Sequence, residues 1–342
     1  MDKKFLILLL LLTGACRNTF EYHPEHEEPQ MIMNAQLKAG EKNHIVKLAV
    51  STMTKITDVK GPVKVLCYVN GVQVAQAEEI AASAIEFVSK DVPIRTFSFK
   101  ADFNPGDEVT VTADAIGYSV SASAVVPAPA KIIKTESSVI EPDYKNYSYT
   151  RLRLPSVIED LQEGEDFYML EIFADDYIEL YSGGVRRDSV NHRGIYKIQT
   201  GDDYVLKDNQ VVQGPVDDIL GSESADWYFC VFRDGTFDGK QTPISPIISY
   251  PGKVKEKGLK EKGIDSIYVK TYVKLSLSHI NSEEYYYVKA LRRADGGGNG
   301  FSFTMEYVDI PENIKGGTGF FSISNPDTLS LRIRNYGKSL IN

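Results

Sequence analysis

Near its end the chain carries NIKGGTGFF, Asn313 to Phe321, with Gly316, Gly317 and Gly319 packed into a short loop. Glycines at this density can cradle a phosphate where a strand runs into a helix, because the free amides and dipole of the helix N-terminus meet the anion. Here the chain continues FFSISNPDTLSLRI, a strand-like run interrupted by Pro326, and Lys315 stands before the glycines rather than after them as in a Walker loop. The loop is therefore expected to be a backbone device, in which glycine permits positive φ and close approach. Ile314, Phe320 and Phe321 anchor its flanks in the core.

Other chemistry-bearing residues lack a working arrangement. There is no GxSxG, HExxH or paired CxxC, and His23, His26, His44, His192 and His279 have no metal or triad spacing. Asp175–Asp176 and Asp217–Asp218 offer carboxylate pairs, but neighbours on a strand point to opposite faces, so neither pair converges on a glycosidic bond. Gly201-Asp202-Asp203 lacks the alternating ligand series of a calcium loop and reads as turn chemistry. His23 and His26 with Glu25, Glu27 and Glu28 occupy a polar stretch without structural-zinc spacing. No catalytic, cofactor-binding or metal-ligating residue is assigned, and the expected protein is not an enzyme. A hydrolase built from scattered loop carboxylates is the remaining enzymatic alternative.

The N-terminus reads MDKKFLILLLLLTGACRN. Lys3 and Lys4 precede an apolar run, Phe5 to Leu12, that is shorter than the ~20 residues a membrane span needs but suits a secretory signal. Thr13, Gly14 and Ala15 lead into Cys16, a pattern that resembles the bacterial lipobox, with Thr13 in place of the usual leucine. Residues 1–15 are expected to be cleaved and Cys16 lipidated, which anchors the chain to a membrane because each buried methylene contributes about 0.8 kcal/mol. Residues 16–30, acidic and without apolar period, form a tether. The net charge of −9 disfavours a nucleic-acid partner. Cys67 and Cys230 lie in the apolar runs VKVLCYV and DWYFCVF and read as buried small hydrophobes.

These groups must be positioned by strands. Twenty Tyr and fifteen Phe against one Trp suit pleated, half-buried surfaces. In TFSFKADF, Phe97, Phe99, Ala101 and Phe103 share one face, NPGD turns the chain, and Val109, Val111, Ala113 and Ala115 alternate again. Tyr118, Val120, Ala122 and Ala124 repeat the period, and Asn70-Gly71 marks a hairpin, both central positions needing positive φ. Residues 31–126 read as a β-sandwich of immunoglobulin-like or transthyretin-like type. VPAPA, Val126 to Ala130, reads as a boundary. Residues 131–342 then form a larger, mainly antiparallel β domain: DFYMLEIF and DWYFCVF are central strands, and IYVKTYVKLSL alternates strictly. EEYYYVKALRR reads as a further strand, while PSVIEDLQEG (155–164) and VDDILGSES (216–224) are the candidate short helices. The fold class is all-β.

FRDGTFDGK at 232–240, LSLSHINSEEYYYVKAL at 275–291 and NIKGGTGFF together resemble the Bacteroidota lipoprotein family catalogued as domain of unknown function 4249, across nearly the whole mature chain. The matching positions are Asp234, Phe237, Gly239 and Lys240; Leu277, Ser278, Tyr285 and Tyr287; and Asn313, Ile314, Gly316, Gly317, Gly319 and Phe320. Ser322 departs from the glycine that often follows the phenylalanine pair.

The resemblance implies an outer-membrane lipoprotein, often encoded beside a TonB-dependent receptor and without established catalysis. It also implies a setting for O-glycosylation at Asp-Ser/Thr-apolar triplets, here Ser189 in DSV and Thr328 in DTL, with Ser266 in DSI the weakest. The expected function is a non-catalytic accessory that binds a ligand or rests against the transporter. The alternative is a structural or adhesive surface protein. A binding surface is expected on loops of the second domain, DGGGNGF at 295–301 and FRDGTFDGK.

Overall fold

The structure, a computed structural model, describes residues 28–52, 55–81, 93–140, 149–161, 163–201, 203–207, 228–251, 258–294 and 312–340. The signal, Cys16, most of the tether, VDDILGSES, Asp217–Asp218 and DGGGNGF lie outside them. The chain is all-β with a helix inserted late. The first half supplies β1 (Gln30–Lys38), β2 (Asn43–Ser51), β3 (Ile56–Thr57), β4 (Val63–Val69), β5 (Val72–Gln76), β6 (Glu78–Ile80), β7 (Arg95–Lys100), β8 (Glu108–Ala115) and β9 (Tyr118–Val125). The second supplies β10 (Lys131–Thr135), β11 (Ser138–Ile140), β12 (Tyr149–Arg153), β13 (Ser156–Glu159), β14 (Phe167–Ser182), β15 (Val185–Ile195) and β16 (Ile198–Gln199). It continues with β17 (Phe229–Arg233), β18 (Gln241–Ile244), β19 (Ile247–Pro251), β20 (Ser266–Ile280), helix α1 (Ser282–Ala294) and β21 (Thr318–Ser339).

In the first half, the sheet β5-β4-β8-β9 faces strands β1, β2 and β7 across one core. The period-two pattern sets which residues enter it: Met31, Met33 and Leu37 from β1, Phe97 and Phe99 from β7, Val109, Val111 and Ala113 from β8, Val120 and Ala122 from β9. The Asn70-Gly71 hairpin forms between β4 and β5 with φ of 51° and 78°. Asn70 also ties the turn to β8, its Oδ1 accepting the Glu108 amide at 2.9 Å.

One sheet runs through both halves, in the order β15-β14-β20-β21-β1-β2-β7-β6. Its connecting strand is β21, whose first residues, Thr318 to Ser324, pair parallel with Ile32 to Lys38. From Asn325 to Ser339 the same strand pairs antiparallel with β20. In the second half β14, β17 and β20 pack Tyr168, Leu170, Ile172, Phe232, Val273, Leu275 and Leu277 onto the smaller sheets β10-β13-β18 and β11-β12-β19-β16. Cys67 belongs to the first core and Cys230 to the second, where the Cys230 thiol donates to the Leu206 carbonyl at 3.1 Å. Both thiols are buried, as their apolar context implies.

Two element assignments differ from the sequence reading. EEYYYVKALRR is not a strand but the body of α1. Asn281 caps this helix, its Oδ1 accepting the Glu284 amide at 3.2 Å and its carbonyl accepting the Tyr285 amide at 3.2 Å. Tyr285 and Val288, three apart, then bury one stripe against Phe167, Met169, Val231 and Ile280. PSVIEDLQEG is not a helix: Ser156 and Ile158 point into the core and Val157 and Glu159 out, as β13 pairs with β10 and β18. Two partners on either side outweigh a weak helical period.

Where α1 crosses the sheet, charges are buried. Lys38 of β1 meets Glu171 of β14 at 2.7 Å, and Glu284 of α1 lies beside them, only 2% exposed. Burial opposes protonation of Lys38, but the Glu171 carboxylate outweighs it and holds the ammonium above its ordinary value. Burial pushes the Glu284 carboxyl up to about 7, against the opposing influence of Ser322 and Lys38.

Candidate functional site

The aspartate turn FRDGTFDGK is where the structure gathers the most polar chemistry. Asp234 opens the turn between β17 and β18, its amide donating to the Asp166 carbonyl at 3.2 Å. The Phe237 amide donates to the Asp234 carbonyl at 2.6 Å and the Lys240 amide to the Phe237 carbonyl at 2.7 Å, two successive tight turns. Gly239 sits at φ 63°, the left-handed region in which glycine meets no Cβ penalty. Phe237 is buried and packs its ring 5.9 Å from Tyr168 and 6.4 Å from Phe232, which pins the turn to the second core. Lys240 itself is exposed.

This turn closes around Asp160, which follows β13. Asp160 accepts from the Tyr168 hydroxyl at 2.9 Å and from the Gly239 amide at 2.8 Å, and its own amide donates to the Lys240 carbonyl at 3.1 Å. A carboxylate oxygen from each of Asp160, Asp234 and Asp238 lies within 4.8 Å of the other two. Asp238 is exposed at the mouth and accepts the Gly164 amide at 3.0 Å. Asp166 stands behind them, with His279 Nε2 at 3.1 Å from its Oδ1. Asp234 is 1% exposed, and among the described residues its Oδ2 has no hydrogen-bond partner; nor has Asp166 Oδ2.

The electrostatic consequence is repulsion. Burial pushes the Asp234 carboxyl up to about 6, with the Asp160, Asp166 and Asp238 carboxylates adding to the rise and the Asp166 backbone opposing it. Asp166 is raised as well, by burial first, against the pull of His279. Burial and the hydrogen bond to Asp160 push the Tyr168 hydroxyl far above its ordinary value. Sequence reasoning took Asp234, Phe237, Gly239 and Lys240 as a structural signature and missed Asp160 and Asp166, which carry no local motif and are distant in the chain.

A second surface lies on the solvent side of the long strands. On β14, Asp175, Tyr177 and Glu179 share one face, and their partners on β20 are Tyr272, Lys270 and Tyr268. On the other flank β15 places Arg193, Asn191 and Ser189 opposite them. Tyr177 and Tyr272 meet edge to face at 5.9 Å between centroids, and Lys270 Nζ lies 5.2 Å over the Tyr268 ring. Arg193 grips Asp175 through two hydrogen bonds, at 2.7 and 3.1 Å. A shallow cavity of about 490 Å³ runs between Tyr177, Tyr268 and Tyr272 and is flanked by Asp175, Glu179 and Lys270. The adjacent Asp175 and Asp176 do not converge: Asp176 turns to the opposite face, where the Thr271 hydroxyl donates to it.

The remaining predicted residues have structural or surface positions. Gly316, Gly317 and Gly319 lie against backbone of the first half, and Asn313 both donates to the Phe321 carbonyl at 2.7 Å and accepts its amide at 2.8 Å. Phe320 stacks on Tyr287 of α1 at 3.8 Å. Ser189 and Thr328 are exposed, while Ser266 is half-buried and donates to its neighbour Asp265. Asp203 accepts from the Leu206 amide at 3.0 Å and from the Ser245 amide, the turn role its sequence suggested. No curated protein is significantly similar to the chain. A family model described as a domain of unknown function, DUF4249, matches residues 17–330, and the chain belongs to that family.

Proposed function

We propose that this chain is a lipoprotein of the bacterial outer membrane, held by an acylated Cys16, that serves a TonB-dependent uptake system as a non-catalytic binding accessory. The observation that carries the binding role is the tyrosine face on β14, β15 and β20. Three tyrosine rings, two of them orthogonal, stand among Asp175, Glu179, Lys270, Asn191 and Arg193 on rigid strands. Rings of this kind offer apolar area at small entropic cost, and the surrounding charges and amides supply orientation. Such a surface suits an extended polar ligand such as a glycan, or a loop of the transporter. The lipobox-like leader and acidic tether favour display at a membrane surface, and Ser189 beside this face and Thr328 on β21 are the residues available for glycosylation.

The test is affinity purification of the whole chain from envelope membranes, with the retained receptor identified by mass spectrometry and glycans scored on an array. The wild-type chain is expected to retain a TonB-dependent receptor or a defined glycan. Tyr177→Ala with Tyr272→Ala should weaken that retention by at least about thirtyfold, the effect of losing two interface aromatics each worth more than ~1 kcal/mol. Retention unchanged by the double substitution removes this face from the reading. Retention of neither receptor nor glycan, with the protein folded, removes the accessory role.

A further inference from the structure

The aspartate turn is overprovided with carboxylate for a purely structural role. Asp160 is held by two donors and Asp238 by one, which fixes both carboxylates in place. Asp234 is different, because it is almost wholly buried yet its Oδ2 has no hydrogen-bond partner among the described residues. A buried acceptor left unsatisfied keeps the full cost of losing its water, so such atoms ask for an explanation. One of its carboxylate oxygens lies within 4.8 Å of an oxygen of Asp160 and of one of Asp238, where neighbouring anions make the position worse.

We propose that Asp160, Asp234 and Asp238 form a calcium site, with Asp166 supporting it from behind. A hard divalent cation is the chemistry that three converging carboxylates fit, and the make-up of the ligand set selects among such cations. Calcium takes roughly six to eight oxygens in a flexible geometry and accepts several protein carboxylates, whereas magnesium demands a near-ideal octahedron and keeps most of its waters. Three protein carboxylates drawn from two separate segments, with oxygens within 4.8 Å of one another, suit the larger and geometrically less demanding ion. The site is also accessible, since Asp238 is exposed while Asp160 and Asp234 are buried, leaving solvent to complete the coordination from the Asp238 side. Burial first, and then the neighbouring carboxylates, hold the Asp234 and Asp166 carboxyls above their ordinary range, and a bound dication would draw both down. The arrangement joins β13 to the β17–β18 turn, so the ion would clamp two segments distant in sequence.

The experiment is calcium titration of the whole chain in detergent after chelator treatment, followed by calorimetry and by the thermal unfolding midpoint, with magnesium at equal concentration as the comparison. The expected result is single-site binding and a raised midpoint in calcium, with a smaller rise in magnesium. Asp234→Asn and Asp238→Asn should each weaken calcium binding by at least about tenfold, because affinity at oxygen sites follows the count of charged ligands. Asp234→Asn should also raise the midpoint of the metal-free protein, a change that ligand loss alone would not produce. Absence of binding heat and of a midpoint shift in the wild type overturns the proposal, as does equal response to the two ions or undiminished binding in the variants. Should Asp234→Asn fail to fold, Asp238→Asn decides, because that side chain is exposed and outside the core.

Discussion

At the scale of the residue, the glycines of NIKGGTGFF are set by neighbouring backbone rather than by a ligand. A Cβ on Gly317 would stand 2.3 Å from the Met31 carbonyl oxygen, and one on Gly316 2.4 Å from that of Ser119, with φ at 79° besides. Neither oxygen can yield, because each belongs to a strand. Gly317→Ala or Gly316→Val should therefore destabilise the protein by roughly 3 kcal/mol or more, read as a lowered urea midpoint with unchanged slope. Gly117→Ala is the control: its φ of 81° is similar but no atom of the described residues lies within 4 Å of the added Cβ, so the loss should stay near 1 kcal/mol. The glycine pattern was legible in the sequence as a backbone device because glycine density has few other uses once the following helix is missing. Its partners were not legible, since Met31 and Ser119 are brought there only by the closing of the sheet. The same limit hid the aspartate site: Asp234 and Asp238 lie in one motif, but Asp160 reaches them through β13, which the sequence presented as a helix.

Elements show why local pattern misled in two places. The segment after β20 carries apolar residues that satisfy both a two-residue and a three-to-four-residue period, and three adjacent tyrosines strengthen the strand reading. What decides is Asn281, a cap that only a helix uses, followed by Glu283 and Glu284 in the first turn, where the positive end of the dipole favours them. Asn281→Ala should cost about 1 kcal/mol, measured by equilibrium unfolding, and should loosen amide-exchange protection in α1 before that of β20. The cap also delivers Glu284 into the seam with Lys38 and Glu171. Because the folded Glu284 carboxyl lies near 7, above its unfolded value, the folded state holds that proton more tightly. Its contribution is fully present at acid pH below the unfolded value and is lost as pH rises to about 7. Integrated over that window the loss is on the order of 3 kcal/mol. Glu284→Gln should flatten this decline, leaving the variant more stable than wild type at pH ~8 and nearly equal to it at pH ~4, by thermal unfolding at each pH.

For the whole molecule the decisive strand is the last one. The prolines of VPAPA suggest where one body ends and another begins, and the chain does pass there from the β9 sheet to β10. Yet the segment is not a free linker: Val126 and Ala130 are buried, and the Asn325 side chain donates to the Pro127 carbonyl at 3.0 Å. Beyond it β21 returns to lie against β1, and with it Ile314, Phe321 and Ile323 enter the first core. No local pattern could announce this, because a parallel pairing between the two ends of a chain leaves no turn signal. Burying each of these side chains contributes about 1.5–3 kcal/mol, so the three together match much of the ~5–15 kcal/mol by which a domain exceeds its unfolded state. A fragment of residues 28–126 should therefore lack a cooperative unfolding transition and bind a hydrophobic dye. Appending residues 312–326 should restore the transition and suppress the dye signal, because those residues return the missing core and cover the β1 edge. Cooperative unfolding of the shorter fragment would show instead that the first half is complete without β21, and that the strand only docks on a core already formed.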